Sequence, residues 1–325
     1  MQTSHETKIQ PLQSQAAQLQ GVIMAMESSK FWQIRNAWFR LKQNMGMGKD
    51  NFHEIRLLSK CSPEPLPSES SIREPSPTSP PTEPMSAPIA ETIELKPRSL
   101  LSLTRENIAD LYLQGQGIEI GALHHPLTVP EDVKVLYVDR MSVADLRKQY
   151  PELNDLPLIE ADILANGEDL ETIADNTQDF VIANHFIEHC QDTIGTIQNM
   201  LRVLKPGGIL YSAIPDKRVS FDIDRDITSI DHMWRDHIEG PAGSKREHFE
   251  SWVRHVGHYT DTVEIAEHTD RLIEMDYSIH YHVFTQASWL ELFISLQQKL
   301  AVKFEIELVI NNGSYEVILI ARKLS

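Results

Sequence analysis

From about residue 98 onward, apolar and polar positions alternate in blocks. Short apolar runs of strand length recur: "GIEIG" (117–121), "VKVLYVD" (133–139), "PLIEAD" (157–162), "DFVIAN" (179–184) and "GILYSAIPD" (208–216). Helical patterns separate them, such as "TIGTIQNMLRVL" (193–204), which stops at "KPGG" as a helix stops before proline and glycine. Apolar strands alternating with helices predict a parallel, doubly wound α/β sheet covered on both faces. The chain ends in "FEIELVI", the turn "NNGS" and "YEVILIAR", which predicts a closing antiparallel hairpin. The expected architecture is a mainly parallel, seven-stranded Rossmann-like sheet over residues 98–325.

Upstream the pattern changes twice. Residues 1–57 read as helical and polar, with Phe31, Ile34, Trp38, Leu41 and Met45 at helical spacing. Lys30, Arg35, Arg40 and Lys42 make this stretch locally basic. Two roles stay open for residues 20–50: packing on a partner helix or on the main domain, or lying on a membrane surface. Residues 58–97 read as a disordered linker, since nine of the eighteen prolines fall between 62 and 88 among serine, threonine and glutamate.

Charge and cysteine usage narrow the partners. A formal net charge of -17 disfavours nucleic acid, whose phosphates call for a basic face. Two cysteines, Cys61 and Cys190, predict no disulfide framework and a reducing cytoplasm. No run of about 18 apolar residues marks a membrane span, and "MQTSHETKIQPLQSQ" lacks the pattern of a secretory signal. The expected location is cytoplasmic, with peripheral contact at the inner face of the membrane if the basic helix docks there.

The candidate chemistry lies at the carboxyl ends of the strands, where doubly wound sheets bind ligands. Those ends are polar throughout: Glu119, Asp139, Asp162, Asn184 and Asp216. The twenty residues from Glu119 to Asp139 suit an acid on the second strand that accepts two hydrogen bonds from a ribose diol. Gly115 and Gly117 come before the apolar body of the first strand, so they cannot form the loop after it that cradles a pyrophosphate. Gly121 alone suffices for close approach by a nucleoside without a pyrophosphate.

Five motifs in order carry a resemblance to class I S-adenosylmethionine-dependent methyltransferases of the small-molecule type. They are "IEIGA", "YVDR", "EADI", "DFVIANHFIEH" and "LRVLKPGGILYSAIPD". The resemblance implies S-adenosylmethionine as cofactor. It implies a binding set of Glu119, Gly121 and Ala122 on the first loop, Asp139 and Arg140 at the ribose, Asp162 and Ile163 at the adenine, and Asn184 on the fourth strand. One departure stands out: Leu123 occupies the second glycine of the family's first loop, and "HHP" follows it.

If "NHFIEHC" begins a helix, His185, Glu188 and His189 share one face. The region is similar to that of ubiquinone-type O-methyltransferases, whose Glu-x-x-Glu-His pattern holds a divalent ion, but His185 replaces the first acid. Glu188 and His189 either cap a helix under the cofactor or serve with His185 as catalytic base or ligand, His185 lying nearest the strand end. Residues 217–283 form a lid-like insertion with eight of the fourteen histidines, and no recognised zinc spacing occurs there, so no metal site is expected. In the family this insertion covers the active site and sets the acceptor.

The insertion is polar, aromatic and acidic, which suits a hydrophilic acceptor. The N-terminal "ESSKFWQIRNAWFRLK" is similar to helices that precede glycosyltransferase modules of bacterial surface-polysaccharide assembly, which implies a sugar hydroxyl or glycan end. Two functions follow from these readings. One is methyl transfer, at oxygen, to a polar small molecule or glycan. The other is a catalytically degenerate scaffold in a polysaccharide-assembly complex, which Leu123 and "HHP" favour.

Overall fold

The computed structural model describes residues 103–311 and 315–325. The readings for 1–57 and 58–97, the turn at 312–314 and the start of the domain at 98–102 lie outside the described residues. Among the described residues no helix is long and apolar enough to cross a membrane.

Seven strands form one sheet: β1 (Gln116–Ile120), β2 (Lys134–Asp139), β3 (Ile163–Leu164), β4 (Gln178–Asn184), β5 (Leu204–Pro215), β6 (Phe304–Asn311) and β7 (Glu316–Lys323). Their order is β3-β2-β1-β4-β5-β7-β6. All neighbours are parallel except β7, which runs antiparallel to both β5 and β6. The predicted parallel sheet with its closing hairpin is therefore the observed one. Order reverses between β1 and β4, and a crevice at their carboxyl ends is the expected result.

Among the described residues seven α-helices accompany the sheet: α1 (Arg105–Tyr112), α2 (Val143–Gln149), α3 (Thr193–Val203), α4 (Ile230–Glu239), α5 (Lys245–His255), α6 (Thr262–Glu274) and α7 (Gln286–Lys299). β4 lies at the centre, and Phe180, Val181, Ile182 and Ala183 are wholly buried. Its two faces serve two cores: Val181 and Ala183 pack under α3 and α7, while Phe180 and Ile182 pack under α1. Burying a side chain of this size contributes roughly 1.5–3 kcal/mol.

The third strand departs from the sequence reading. Residues 157–162 are not a strand, and the pairing with β2 is confined to Ile163 and Leu164. The Asp162 carboxylate accepts the Tyr137 N–H at 2.9 Å, and the Asp162 N–H donates to the Tyr137 carbonyl at 2.8 Å. Ile159 N–H turns instead to the Leu123 carbonyl, at 2.7 Å. The acidic side chain thus takes a β2 donor that a longer β3 would use, and Pro157 has no N–H to offer.

Between β5 and α7 the insertion folds as α4, α5 and α6 followed by a buried segment, Tyr277 to Phe284. Phe249, Trp252, Tyr259, Ile265, Leu272 and Tyr281 join Leu146, Tyr150 and Leu153, from α2 and just beyond it, in a core of their own. The insertion is therefore packed onto the carboxyl-end side of β2. His237 on α4 also meets Asp192, the N-cap of α3, at 2.9 Å.

Candidate active site

A cleft of about 390 Å³ opens at the carboxyl ends of β1, β2 and β4, beneath the insertion. Gly121 and Leu123 line it from the loop after β1, Asp139 and Arg140 from the end of β2, and Asn166, Gly167 and Glu168 from the segment after β3. His185, Phe186, His189 and Gln191 follow β4, and Asp276, Tyr277, Ser278 and Tyr281 come down from the insertion. The volume lies within the roughly 300–1,000 Å³ typical of small-molecule sites.

The first loop is held from below. Glu119, fully buried, accepts the Leu127 N–H on both carboxylate oxygens at 3.1 and 3.0 Å, which fixes the turn over 121–127. Gly121 sits at φ +62° and its N–H donates to the Val138 carbonyl. A Cβ there would meet only Phe186, at 3.7 Å, so backbone conformation rather than crowding calls for glycine. Leu123 sits at φ +51°, a left-handed conformation in which a non-glycine residue costs about 1–2 kcal/mol. The substitution at the family's second glycine therefore keeps a backbone that glycine would adopt more easily, and it places an isobutyl group on the cleft wall. His124 and His125 stack at 4.1 Å on each other and do not line the cleft.

At the second strand, Asp139 lines the cleft, and its Oδ1 accepts the Met141 N–H at 3.0 Å. Arg140 is turned toward the insertion: Nη1 donates to Asp276 at 2.9 Å and Nη2 to the Tyr150 hydroxyl at 3.0 Å. Gly167, three residues beyond β3, has no room for a side chain, because a Cβ would lie 2.5 Å from Ile120 and 2.7 Å from Phe186. That close approach lets Asn166, Gly167 and Glu168 form one wall of the cleft.

After β4 the chain turns sharply at His185, φ +50°, and a single turn of 3-10 helix spans Ile187–His189. The expected helical face of His185, Glu188 and His189 is thus replaced by a kinked turn, and α3 begins only at Thr193. The kink sets His185 between two carboxylates and turns His189 toward the insertion. His185 Nε2 meets Glu316 on β7 at 3.0 Å, and Nδ1 meets Glu188 at 3.4 Å. Arg105 on α1 grips Glu316 from the other side through Nε at 2.8 and 2.9 Å.

Charge follows from these contacts. Burial works to lower the His185 imidazole, but Glu188 and Glu316 prevail and raise it, so it tends to hold its proton. Burial works to raise Glu316, yet Arg105 and His185 hold it down to about 2. Burial would also raise Glu188, and His185 beside it keeps it below the usual carboxylate value. Burial and the nearby His280 push His189 down to about 3, so it is neutral. Its Nδ1 lies 2.9 Å from the Ile279 carbonyl, an acceptor, which assigns the proton to Nδ1 and the lone pair to Nε2.

The cleft therefore brings together six of the residues named from sequence: Gly121, Asp139, Arg140, His185, His189 and, beside them, the substituted Leu123. Glu119 supports the first loop from beneath, Ala122 is buried in it, Asp162 pins β2, and Ile163 packs on the main core. Asn184 is buried with its amide atoms in no hydrogen bond, and Glu188 lies wholly buried behind His185. None of these six lines the cleft. Asn166, Glu168, Tyr277 and Tyr281 were missed. Only the buried aromatic run "YSIHYHVF" (277–284), too hydrophobic for a surface lid, carried a signal for two of them.

The family model described as "Methyltransferase domain" matches residues 115–212, which spans β1 through most of β5. No curated protein matches the chain. Among solved structures the chain is similar to the CurJ carbon methyltransferase, with 16% identity over 66% of this chain and 49% of that one, TM-score 0.34. It is also similar to a SAM-dependent methyltransferase from Aquifex aeolicus, with 13% identity over 66% of this chain and 86% of that one, TM-score 0.34. A protein from Pyrococcus horikoshii OT3 gives 18% identity over 65% of this chain and 82% of that one, TM-score 0.36. The chain spans about half the length of the CurJ structure. Sheet order and cleft position are those of a doubly wound nucleoside-binding fold. Within it, residues 115–212 are the part that matches the methyltransferase-domain model.

Proposed function

We propose that the protein transfers a methyl group from S-adenosylmethionine to a hydroxyl of a polar small molecule or glycan. The observation that carries this reading is the convergence of Gly121, Asp139 and Gly167 on one cleft with His185 and His189. The donor set fits a nucleoside. Asp139 offers a carboxylate for a vicinal diol, Gly121 permits close backbone approach, and the Ile120, Phe186 and Leu123 side chains supply apolar surface for a purine and a thioether. When bound, S-adenosylmethionine supplies a methyl group on a sulfonium, whose displacement needs no protonation of the leaving group.

This chain's residues then hold the reactants in line and exclude water, the larger part of catalysis for such a displacement. The acceptor side is the histidine wall. His189 stands neutral on this wall, and Ser278 and Ile279 fix its ring through Nδ1. His185, ion-paired with Glu188 and Glu316, orients the turn after β4 and leaves little net charge beside the cleft. Tyr277, Ser278, Asp276 and Tyr281 give the acceptor hydrogen-bonding groups suited to a sugar-like molecule. Localisation at the inner face of a membrane, through the basic segment 20–50, belongs to the same proposal.

One observation favours the second reading, a scaffold with a degenerate pocket: Leu123 narrows the first loop at a left-handed position. Calorimetric titration with S-adenosylmethionine and S-adenosylhomocysteine separates the two. Micromolar binding that weakens at least tenfold in Asp139→Ala supports the methyltransferase, since the diol hydrogen bonds are lost. A folded wild-type protein that binds neither compound supports the scaffold.

A further inference from the structure

Away from the cleft, the insertion gathers a second group of side chains that the methyl-transfer reading does not use. His232 and Asp236 stand one turn apart on α4, and His248 faces them from α5. His232 Nε2 lies 3.0 Å from His248 Nε2 and 3.0 Å from Asp236 Oδ2, and His248 Nε2 lies 3.6 Å from the same oxygen. Asp236 is 3% exposed, and its Oδ2 takes part in no hydrogen bond of good geometry.

Three ligand atoms so close, two of them imidazole nitrogens, form the edges of a coordination polyhedron. Tetrahedral bonds of roughly 2.0–2.1 Å place ligand atoms about 3.3 Å apart. A purely hydrogen-bonded trio is a poorer account, because a carboxylate this deeply buried without a full set of donors is costly. A divalent cation satisfies the oxygen and both nitrogens together.

We infer that His232, Asp236 and His248 bind one divalent transition-metal ion of the zinc type. Two imidazoles and a carboxylate suit zinc, whereas magnesium and calcium favour oxygen-only sets. Three protein ligands leave a fourth position for water. The ion ties α4 to α5, and through them it braces a wall of the cleft. The His248 ring stands 5.7 Å from Tyr281, a cleft residue, and 5.0 Å from His282, which contacts the Gln191 carbonyl at 3.3 Å. Arg235 sits 2.7 Å from His232 Nδ1. Coordination through Nε2 makes Nδ1 a donor, so Arg235, which is exposed, turns to solvent on loading.

A second group, Glu188, His189 and His280, also offers three ligand atoms within 4.8 Å of one another, so the test must tell the two apart. The full chain, stripped with a chelator, is titrated with zinc and with cobalt(II), and bound metal is counted after gel filtration. The expected result is one equivalent with the visible absorption of tetrahedral cobalt(II). That equivalent is lost in Asp236→Asn and His248→Gln, retained in Glu188→Gln, and bound at least as tightly in Arg235→Ala. Histidine acylation mapped on wild-type protein gives a reading that needs no folded variant, with metal protecting His232 and His248. A folded protein that binds no metal overturns the inference. So does an equivalent lost in Glu188→Gln with protection falling on His189 and His280.

Discussion

Arg140 and Asp276 meet at 2.9 Å across the mouth of the cleft, the first at the end of β2 and the second on the insertion just after α6. The pair links the strand end that carries Asp139 to the segment that carries Tyr277 and Ser278. It is solvent-exposed, so it contributes only about 0–1 kcal/mol to stability, and its effect falls on the position of the insertion.

Asp276→Ala should therefore shift the melting temperature by no more than about 2–4 °C while loosening the cleft mouth. Hydrogen exchange should report this as faster exchange over 275–281, with α7 and β4 unchanged. Equal exchange in the two proteins would show that packing against Tyr150 alone holds the segment.

Leu123 is the position at which strain and ligand access meet. Leu123→Gly removes a left-handed penalty of about 1–2 kcal/mol and adds back roughly 0.5–1 kcal/mol of chain entropy, so stability should change by no more than about 1.5 kcal/mol. Donor affinity should stay the same or rise. Leu123→Val, β-branched at φ +51°, should be the less stable of the two by thermal melting.

Gly167→Ala should be harmful. Its Cβ would press on Ile120 and Phe186 at 2.5 and 2.7 Å, which overpacks the site by about 1–3 kcal/mol. Chemical denaturation reads the loss directly. A neutral result would mean that the wall after β3 yields easily.

Acid stability should carry the mark of Glu316. Its folded value near 2 lies below the ordinary 4.5, so its contribution is complete above about pH 4.5 and is lost as pH falls toward 2. The shift corresponds to something on the order of 3 kcal/mol. His185 runs the other way: raised above 6.5, it contributes fully below that pH and loses its contribution as pH rises through the raised value. Urea midpoints against pH should show Glu316→Gln flattening the limb between 4.5 and 2, while His185→Gln flattens the alkaline limb and also makes the acid limb shallower, since His185 helps to hold Glu316 and Glu188 down.

The sequence by itself determined the sheet. Apolar runs of strand length, separated by helical patterns and closed by a hairpin, allow few arrangements, because each strand must bury both faces. The acid of the cleft at the end of β2 was legible as well, since Asp139 ends a clear strand. Other features depended on contacts that no local pattern encodes. Asp162 became a backbone partner of Tyr137 rather than a cleft residue, because one side-chain oxygen took the place of a ladder bond. His185 took a left-handed turn that broke the expected helix, fixed by Glu316 from a strand 131 residues away. The insertion's histidines follow no recognised spacing along the chain, yet His248, His280 and His282 are buried together with the aromatic side chains of the insertion. Only the tertiary structure could decide these points, because burial and charge pairing are set by residues distant in the chain, while strand and helix periodicity are set by neighbours.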